Sequence, residues 1–276
     1  MSNRGIIITD LDGTLLYKGN PISDEVINTL ENLGKRGFIR VIATGRSLYS
    51  ARTAIPEDFP IDFLIFSSGA GIIEWKTGRL LVKQGLTADE VRRALNLLLG
   101  LNVDFMLHDP IPENHRFIYY GEGKNNPDFF RRIYIYRDFA IPGNPHQPQI
   151  KEACQFVAIE PPHRNRTLYQ SLKTELAPLK VIRTTSPIDG ESIWIEVFPH
   201  GVSKAFGAEY IRSLHSIPRE ATLAIGNDYN DIDLLSWAAT GYVVENAPDE
   251  LKRMFLNVNS EKESGFIEAV EKWLKK

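Results

Sequence analysis

Two aspartates stand directly after an apolar run near the start of the chain. Asp10 and Asp12 belong to Asp10-Leu11-Asp12-Gly13-Thr14, which follows Gly5-Ile6-Ile7-Ile8-Thr9. The Ile-rich run predicts a buried strand, so both carboxylates should lie at its carboxyl end, where open α/β sheets bind ligands. Carboxylates two residues apart can share one Mg²⁺, one attacking phosphorus and the other moving a proton. The alternative is a strand that ends in an ordinary Asp/Gly turn, because these five residues alone do not distinguish a catalytic loop from such a turn.

Polar groups suited to the same chemistry follow other predicted elements. Thr44-Gly45-Arg46 follows an apolar run, Lys204 begins a predicted helix, and an acidic and amide cluster occupies 227–231. Phosphoryl transfer depends mainly on positioning and on neutralising charge. A hydroxyl and an ammonium can hold phosphoryl oxygens, and Mg²⁺ prefers hard oxygen ligands. The pattern therefore predicts a phosphoryl-transfer site with Mg²⁺ as its cofactor.

Predicted strands and helices alternate over residues 1–70 and again after residue 200. The predictions are strands at 6–9, 38–43, 62–66, 221–225 and 242–244, helices at 23–35 and 203–214, and a closing helix that ends at Leu274. Such alternation is typical of a parallel sheet with right-handed crossovers. We therefore expect an α/β fold with a doubly wound parallel sheet.

The middle of the chain has a different pattern. It contains a predicted helix at 86–99, many aromatic residues, and predicted strands at 157–159 and 193–197. This indicates an α+β insert between two halves of one α/β domain. Within it, we expect the arginines of 129–139 to form the solvated basic face of an amphipathic element. We expect four histidines to be loop or surface residues: His108, His115, His146 and His163.

Composition excludes several classes of protein. The 276 residues carry a net charge of −3, which argues against a nucleic-acid partner. No segment resembles a signal peptide or a membrane span. The single cysteine, Cys154, excludes an intramolecular disulfide and fits a reducing cytoplasm. We expect a cytoplasmic protein with neither a membrane nor a nucleic-acid partner.

The order of the motifs resembles the haloacid dehalogenase superfamily, and more closely its Cof-like phosphatases with a type IIB cap. The matching segments, in chain order, are Asp10–Thr14, Thr44–Arg46, Gly201-Val202-Ser203-Lys204-Ala205 and Gly226-Asn227-Asp228-Tyr229-Asn230-Asp231. Glu245-Asn246-Ala247 also fits the family's C-terminal pattern. The resemblance covers the whole core, with the insert between the second and third motifs. It implies a Rossmann-like core domain at 1–80 and 195–276 and a cap domain at 81–194.

The resemblance also implies a role for each matching residue. Asp10 would be the nucleophile and a Mg²⁺ ligand. Asp12 would be the general acid and base, with its backbone carbonyl on the metal. Thr44 and Lys204 would hold the phosphoryl group, and Asp231 would support the metal or its waters. The residues expected to contact the substrate are Gly45, Arg46, Ser68 and Gly69.

Two positions depart from the family's pattern. Asn227 stands where the family usually has aspartate, so one metal ligand would lose its negative charge. Asn227 could still ligate Mg²⁺ through its amide oxygen, or Asp228 could take over. Ser68 stands where many relatives have asparagine, which should alter substrate-side hydrogen bonding.

The resemblance implies Mg²⁺-dependent hydrolysis of a small phosphorylated metabolite, with a sugar phosphate as the expected substrate. The reaction would pass through an aspartyl-phosphate on Asp10. One alternative is a phosphomutase of the phosphomannomutase type, because those enzymes share the cap type. A second alternative is a sugar-phosphate-binding regulator that lost turnover through Asn227.

Overall fold

The computed structural model describes residues 4–17, 20–164, 167–258 and 264–275. The strands are β1 Gly5–Thr9, β2 Phe38–Ala43, β3 Phe63–Phe66, β4 Gly71–Glu74, β5 Leu80–Lys83, β6 Phe105–His108, β7 Phe117–Tyr120, β8 Ala140–Pro142, β9 Gln155–Glu160, β10 Lys180–Thr185, β11 Ile193–Phe198, β12 Thr222–Gly226, β13 Thr240–Val243 and β14 Leu256–Asn257. The α-helices are α1 Asp24–Lys35, α2 Leu48–Ala54, α3 Ala88–Gly100, α4 Pro127–Ile135, α5 Leu168–Glu175, α6 Lys204–Leu214, α7 Ile232–Trp237, α8 Asp249–Met254 and α9 Ser264–Leu274.

The chain folds into two compact units. The first unit comprises the described residues within 1–46, 51–82 and 203–276, and the second comprises those within 47–50 and 83–202. The assignment of 81–194 as a type IIB cap domain stays a prediction. No helix among the described residues is long and apolar enough to cross a membrane.

The first unit is built on an eight-stranded sheet with β1 near its middle, in the order β14-β13-β12-β1-β2-β3-β4-β5. β1 pairs in parallel with β12 and with β2, and β3 continues in parallel beside β2. β4 pairs antiparallel with β3, so the sheet is mixed toward that edge. Ile6, Ile7 and Ile8 are buried, which explains the unbroken apolar run. The expected α/β fold class is confirmed.

The register of the sheet brings the polar loops together. Thr9 lies opposite Ile225 of β12 and opposite Ile42 of β2. Asp10, the residue after Thr9, therefore lies beside the ends of both neighbouring strands. Because parallel strands end at the same edge, the loops that start at Asp10, Thr44 and Asn227 share one end of the sheet.

Local capping fixes where the nearby helices begin. The Ser23 hydroxyl accepts a hydrogen bond from the Val26 backbone N–H, so α1 begins one residue after the predicted start. Ser203 caps α6 in the same way, accepting from the Phe206 backbone N–H at 3.0 Å. Such caps satisfy backbone donors that the helix leaves free. In α6 the cap places Lys204 at the first helical position.

The second unit contains a six-stranded sheet in the order β10-β11-β9-β6-β7-β8. Its strand pairs are antiparallel except for β7 with β8. One face packs against α3 and α5 through residues such as Leu95 and Leu172. The other face includes Trp194 and packs against Phe129 of α4. The sheet is covered on both faces, which explains its aromatic content.

Two expectations for this unit are wrong in part. His108 and His115 are buried, not surface residues. The His108 ring lies in β6 with Nδ1 2.8 Å from the Asn114 carbonyl oxygen, and burial lowers its pKa to about 3. Arg132 is partly buried, with its guanidinium carbon 4.3 Å from the Trp194 ring centroid. The arginines of this segment therefore do not all lie on a solvated face, because one of them packs on an aromatic ring.

Candidate active site

Asp10 lies at the centre of a buried ion cluster. Lys204 Nζ donates to Asp10 Oδ1 at 2.6 Å and to Asp231 Oδ1 at 2.6 Å. All three side chains are almost completely buried. One ammonium thus faces two carboxylates in a place closed to water. Such an arrangement keeps Lys204 charged and sets two carboxyl groups against one positive charge.

The pKa values of Asp10 and Lys204 are set by burial and by their charged neighbours. Burial raises the pKa of Asp10 to about 8 against the opposing effect of Lys204, and the Asp231 and Asp12 carboxylates raise it further. Burial by itself would lower the pKa of Lys204, but the Asp10 and Asp231 carboxylates outweigh it and raise that pKa. A further positive charge beside Asp10 would therefore be stabilised.

Asp231 braces both Lys204 and its own loop. Its Oδ2 accepts hydrogen bonds from the backbone N–H groups of Asn227 at 2.8 Å and Asp228 at 3.1 Å, and its Oδ1 accepts from Lys204. A side chain at Gly226 would collide with this carboxylate, since a Cβ there would lie 2.6 Å from Asp231 Cγ. The contacts of Asp231 therefore serve to position the loop and the ammonium.

Asp12 is held by a fork of two hydrogen bonds. Arg46 Nε donates to Asp12 Oδ2 at 2.8 Å, and Arg46 Nη2 donates to Asp12 Oδ1 at 2.7 Å. Arg46 is itself positioned by Thr44, whose hydroxyl oxygen accepts from the Arg46 backbone N–H at 3.1 Å. Bidentate pairs of this kind fix the plane of a carboxylate. Arg46 of the second motif therefore hydrogen-bonds Asp12 of the first motif, a contact that the sequence did not reveal.

The turn after β3 lies at the same end of the sheet and contacts the Thr44 loop. Ser67 and Ser68 adopt left-handed backbone conformations with φ of 49° and 54°, and Gly69 has φ 106°. The Ser68 backbone N–H donates to the Thr44 carbonyl at 3.0 Å. A side chain at Gly69 would collide with the Ser203 carbonyl, and a Cβ at Gly45 would lie 3.6 Å from Ser68 Oγ. Non-glycine residues in this conformation are strained and concentrate at functional sites.

The oxygen atoms around Asn227 are suitable ligands for a hard cation. One terminal atom of the Asn227 side-chain amide lies 3.3 Å from Asp10 Oδ2 and 3.1 Å from the Asp12 carbonyl oxygen. These two oxygens therefore converge on one point. Among the described residues, no three histidine, cysteine, aspartate or glutamate side chains are grouped to hold a metal. A metal here would use the Asp12 carbonyl and the Asn227 amide oxygen besides Asp10.

Asp228 caps a turn in the loop after β12, whereas Asn246 lies beside the Asn227 side chain. The Asp228 carboxylate caps the short 3₁₀ turn Tyr229–Asp231, accepting from the Tyr229 backbone N–H at 2.8 Å. Asn246 Nδ2 lies 3.2 Å from the other terminal atom of the Asn227 amide. Sequence reasoning did not place Asn246 among the site residues. Its position just after β13, the strand beside β12, was the signal that could have identified it.

Comparison with known proteins agrees with the fold and the motifs. The family model of the haloacid dehalogenase-like hydrolases matches residues 7–270. A 5-amino-6-(5-phospho-D-ribitylamino)uracil phosphatase of Bacillus subtilis, YwtE, is 26% identical over 273 residues, covering 89% of each chain. Both the resemblance and the expected enzyme class, a phosphatase, are confirmed.

Solved structures share the fold over nearly the whole chain. The phosphatase BT1666 of Bacteroides thetaiotaomicron has a TM-score of 0.79 at 22% identity, covering 99% of this chain and 95% of its own. The subclass IIB sugar phosphatase BT4131 has a TM-score of 0.75 at 20% identity, covering 98% of each chain. With the family model matching from β1 to α9, the chain belongs to the haloacid dehalogenase-like hydrolases.

Proposed function

We propose that this phosphatase is a Mg²⁺-dependent phosphomonoesterase that forms an aspartyl-phosphate on Asp10. The observation that carries the proposal is the Asp10 carboxylate, buried at the end of β1 and bonded to Lys204 at 2.6 Å. A carboxylate held by one ammonium in a closed site is a positioned nucleophile. The Lys204 ammonium, together with the Thr44 hydroxyl at the end of β2, would hold the phosphoryl oxygens.

In the first half-reaction, an Asp10 oxygen forms a bond to phosphorus while the bond from phosphorus to the ester oxygen breaks. Asp12 enters this step in its protonated form and donates that proton to the leaving alcohol. In the second half-reaction, Asp12 takes a proton from water, the water oxygen attacks phosphorus, and the acyl phosphate bond to Asp10 breaks. Mg²⁺ would neutralise charge on the phosphoryl group, held by Asp10, the Asp12 carbonyl and Asn227.

We further propose that the substrate is a small phosphate ester with a hydroxylated carbon skeleton. YwtE is named for a substrate with a phosphorylated ribityl chain, and BT4131 is described as a sugar phosphatase. Both names point to polyol or sugar phosphates, in agreement with the sequence expectation. The compound itself should emerge from a panel of phosphorylated sugars, alditols and nucleotides assayed for phosphate release.

The Asp10→Asn variant tests the nucleophile. We expect at least a thousandfold loss of p-nitrophenyl phosphate hydrolysis with no loss of melting temperature, because the amide cannot attack phosphorus. Rapid acid quench with ³²P-labelled substrate should trap label on the wild-type protein and none on the variant. Asp58→Asn, at an exposed position, is the matched control and should behave as wild type. Activity of Asp10→Asn within tenfold of wild type would refute the assignment.

The dependence on Mg²⁺ is tested with the same assay. We expect EDTA to abolish turnover and added Mg²⁺ to restore it. A wild-type protein that binds a sugar phosphate but releases no phosphate with Mg²⁺ would favour the regulator alternative. Transfer of phosphate within a sugar bisphosphate, without release, would favour the phosphomutase.

A further inference from the structure

Helix α4 of the second unit has an apolar stripe on its outward face. Phe129 of this helix is completely buried against the sheet, whereas Phe130, Tyr134 and Ile135 are 62%, 63% and 56% exposed. Residues four apart are neighbours on a helix surface, so Phe130 lies beside Tyr134, and Arg131 lies beside Ile135. These four side chains are called the α4 stripe. Adjacent apolar side chains with this much exposure indicate an interaction surface.

The α4 stripe differs from the rest of the described surface. Among the described residues, every other exposed large hydrophobic side chain except Ile141 is at most 55% exposed. Ile141 of β8 is 60% exposed, but it pairs with Ile118 of β7, which packs in the cluster on the face of α3 and α5. Because α4 covers the opposite face of the sheet, Ile141 is separate from the stripe. It therefore provides an exposed apolar control in the same unit.

The charges on and beside the stripe are positive. Arg131 is exposed, and the guanidinium carbon of Arg137 lies 5.2 Å from the Tyr134 ring centroid. Asp128 is the acidic residue of α4, but it is buried and accepts a hydrogen bond from Trp194 Nε1 at 2.6 Å. A guanidinium is attracted to the face of an aromatic ring. The stripe thus presents both components of such a contact, a cation and exposed rings.

A second copy of the stripe is complementary to the first. Consider two α4 helices that pack antiparallel about a two-fold axis midway between positions 132 and 133. Phe130 of one copy then lies at the level of Tyr134 of the other, and Arg131 lies at the level of the other copy's Tyr134 and Ile135. Apolar side chains meet apolar side chains, and each cation meets a ring. A parallel pair would instead place the two Arg131 side chains at the same level, which their like charges disfavour.

We propose that the α4 stripe is a dimer interface and that a second copy of this chain packs on it in the antiparallel arrangement. Burying the exposed parts of the three apolar side chains removes about 700 Å² over both copies. This is less than half of the ~1,600 Å² of a standard-size interface. The dimer is therefore weak and reversible, with a dissociation constant on the order of 100 µM.

Sedimentation velocity of the full chain, up to about 300 µM, tests the surface. We expect the fraction of dimer to rise with concentration for wild type. The double variant Phe130→Ser/Tyr134→Ser should associate at least tenfold more weakly, because it loses both aromatic contacts. Circular dichroism verifies that it folds. Ile141→Ser should associate as wild type does. A wild-type protein that stays monomeric at about 300 µM, or a double variant that associates as wild type does, would overturn the proposal.

Cysteine cross-linking tests the arrangement of the two helices. The native Cys154 is completely buried, so an introduced surface cysteine reacts selectively. In the antiparallel pair the two 131 positions differ in level by about 4.5 Å, and the two 137 positions by about 13 Å. Arg131→Cys should therefore form an intermolecular disulfide at least tenfold faster than Arg137→Cys, which removes the same charge. Equal rates, as a parallel pair would give, would overturn the arrangement.

The dependence on salt distinguishes a second copy from an acidic partner. Pairing two stripes brings the arginines of both copies together, and KCl screens their repulsion. Raising KCl from about 50 mM to about 500 mM should therefore tighten wild-type self-association about twofold to fivefold. Weaker self-association at high salt would show that the arginines contact acidic groups. That result would overturn the pairing of one stripe with another.

Discussion

At the scale of single residues, the structure adds most to what the sequence predicted for Arg46. The sequence predicted a substrate-side contact, which stays a prediction, and the structure adds two hydrogen bonds from the Arg46 guanidinium to the Asp12 carboxylate. Arg46→Met should therefore reduce kcat for alkyl phosphates about tenfold to a hundredfold, because a loose general acid protonates a poor leaving group less well. Hydrolysis of p-nitrophenyl phosphate, whose leaving group needs little protonation, should fall less.

Two further variants serve as controls for Arg46→Met. Arg46→Lys should restore part of the loss, since an ammonium keeps the charge but not the fork. Arg52→Met, at an exposed position of α2, should leave both rates unchanged. If Arg46→Met raised KM equally for both substrates and left kcat unchanged, Arg46 would contact the substrate and not act through Asp12.

At the scale of elements, the turn after β3 fixes the start of α6. Gly69 lies so close to the Ser203 carbonyl that a Cβ cannot fit, and Ser203 is the cap that precedes Lys204. Gly69→Ala should therefore displace Lys204 and reduce kcat about a hundredfold, since small misplacements of a catalytic group are costly. Steady-state kinetics, with circular dichroism to verify folding, measure this effect.

Gly201→Ala is the matched control for backbone strain. Gly201 also has positive φ, 85°, but a Cβ there meets no atom within 4 Å. The variant should lose about 1 kcal/mol of unfolding free energy and keep kcat within about threefold of wild type. Equal losses of kcat in both variants would show that strain, and not the contact with Ser203, explains the effect.

At the scale of the whole molecule, each unit has its own hydrophobic core. Leu95 of α3 lies in a core cluster of the second unit, and Ile211 of α6 lies in that of the first. Leu95→Ala and Ile211→Ala should each cost about 2–5 kcal/mol. Hydrogen exchange followed by mass spectrometry should show faster exchange mainly within the unit that carries the substitution.

Two exposed leucines, one in each unit, serve as controls for these substitutions. Leu101 and Leu214 are 39% and 53% exposed, so their alanine variants should change exchange little. If Leu95→Ala accelerated exchange equally in both units, the chain would unfold as one cooperative body.

The sequence by itself determined the α/β class, the strands β1, β2, β3, β12 and β13 of the first unit, and the residues of the main motifs. It could do so because burial on both faces requires continuous apolar runs, as at Ile6–Ile8, and because caps such as Ser203 act within four residues. The family followed from motifs whose order is a property of the sequence alone. The proposed roles of Asp10, Asp12, Thr44 and Lys204 stay predictions until the variants above are measured.

Only the tertiary structure decided which polar groups bond to one another. The fork from Arg46 to Asp12 joins residues 34 positions apart, and the bond from Lys204 to Asp10 joins residues 194 positions apart. The same holds for the amides of Asn227 and Asn246, which follow neighbouring strands. Local patterns report burial and turns, but they do not contain the register between distant strands. In this protein, that register sets the contacts on which the candidate site depends.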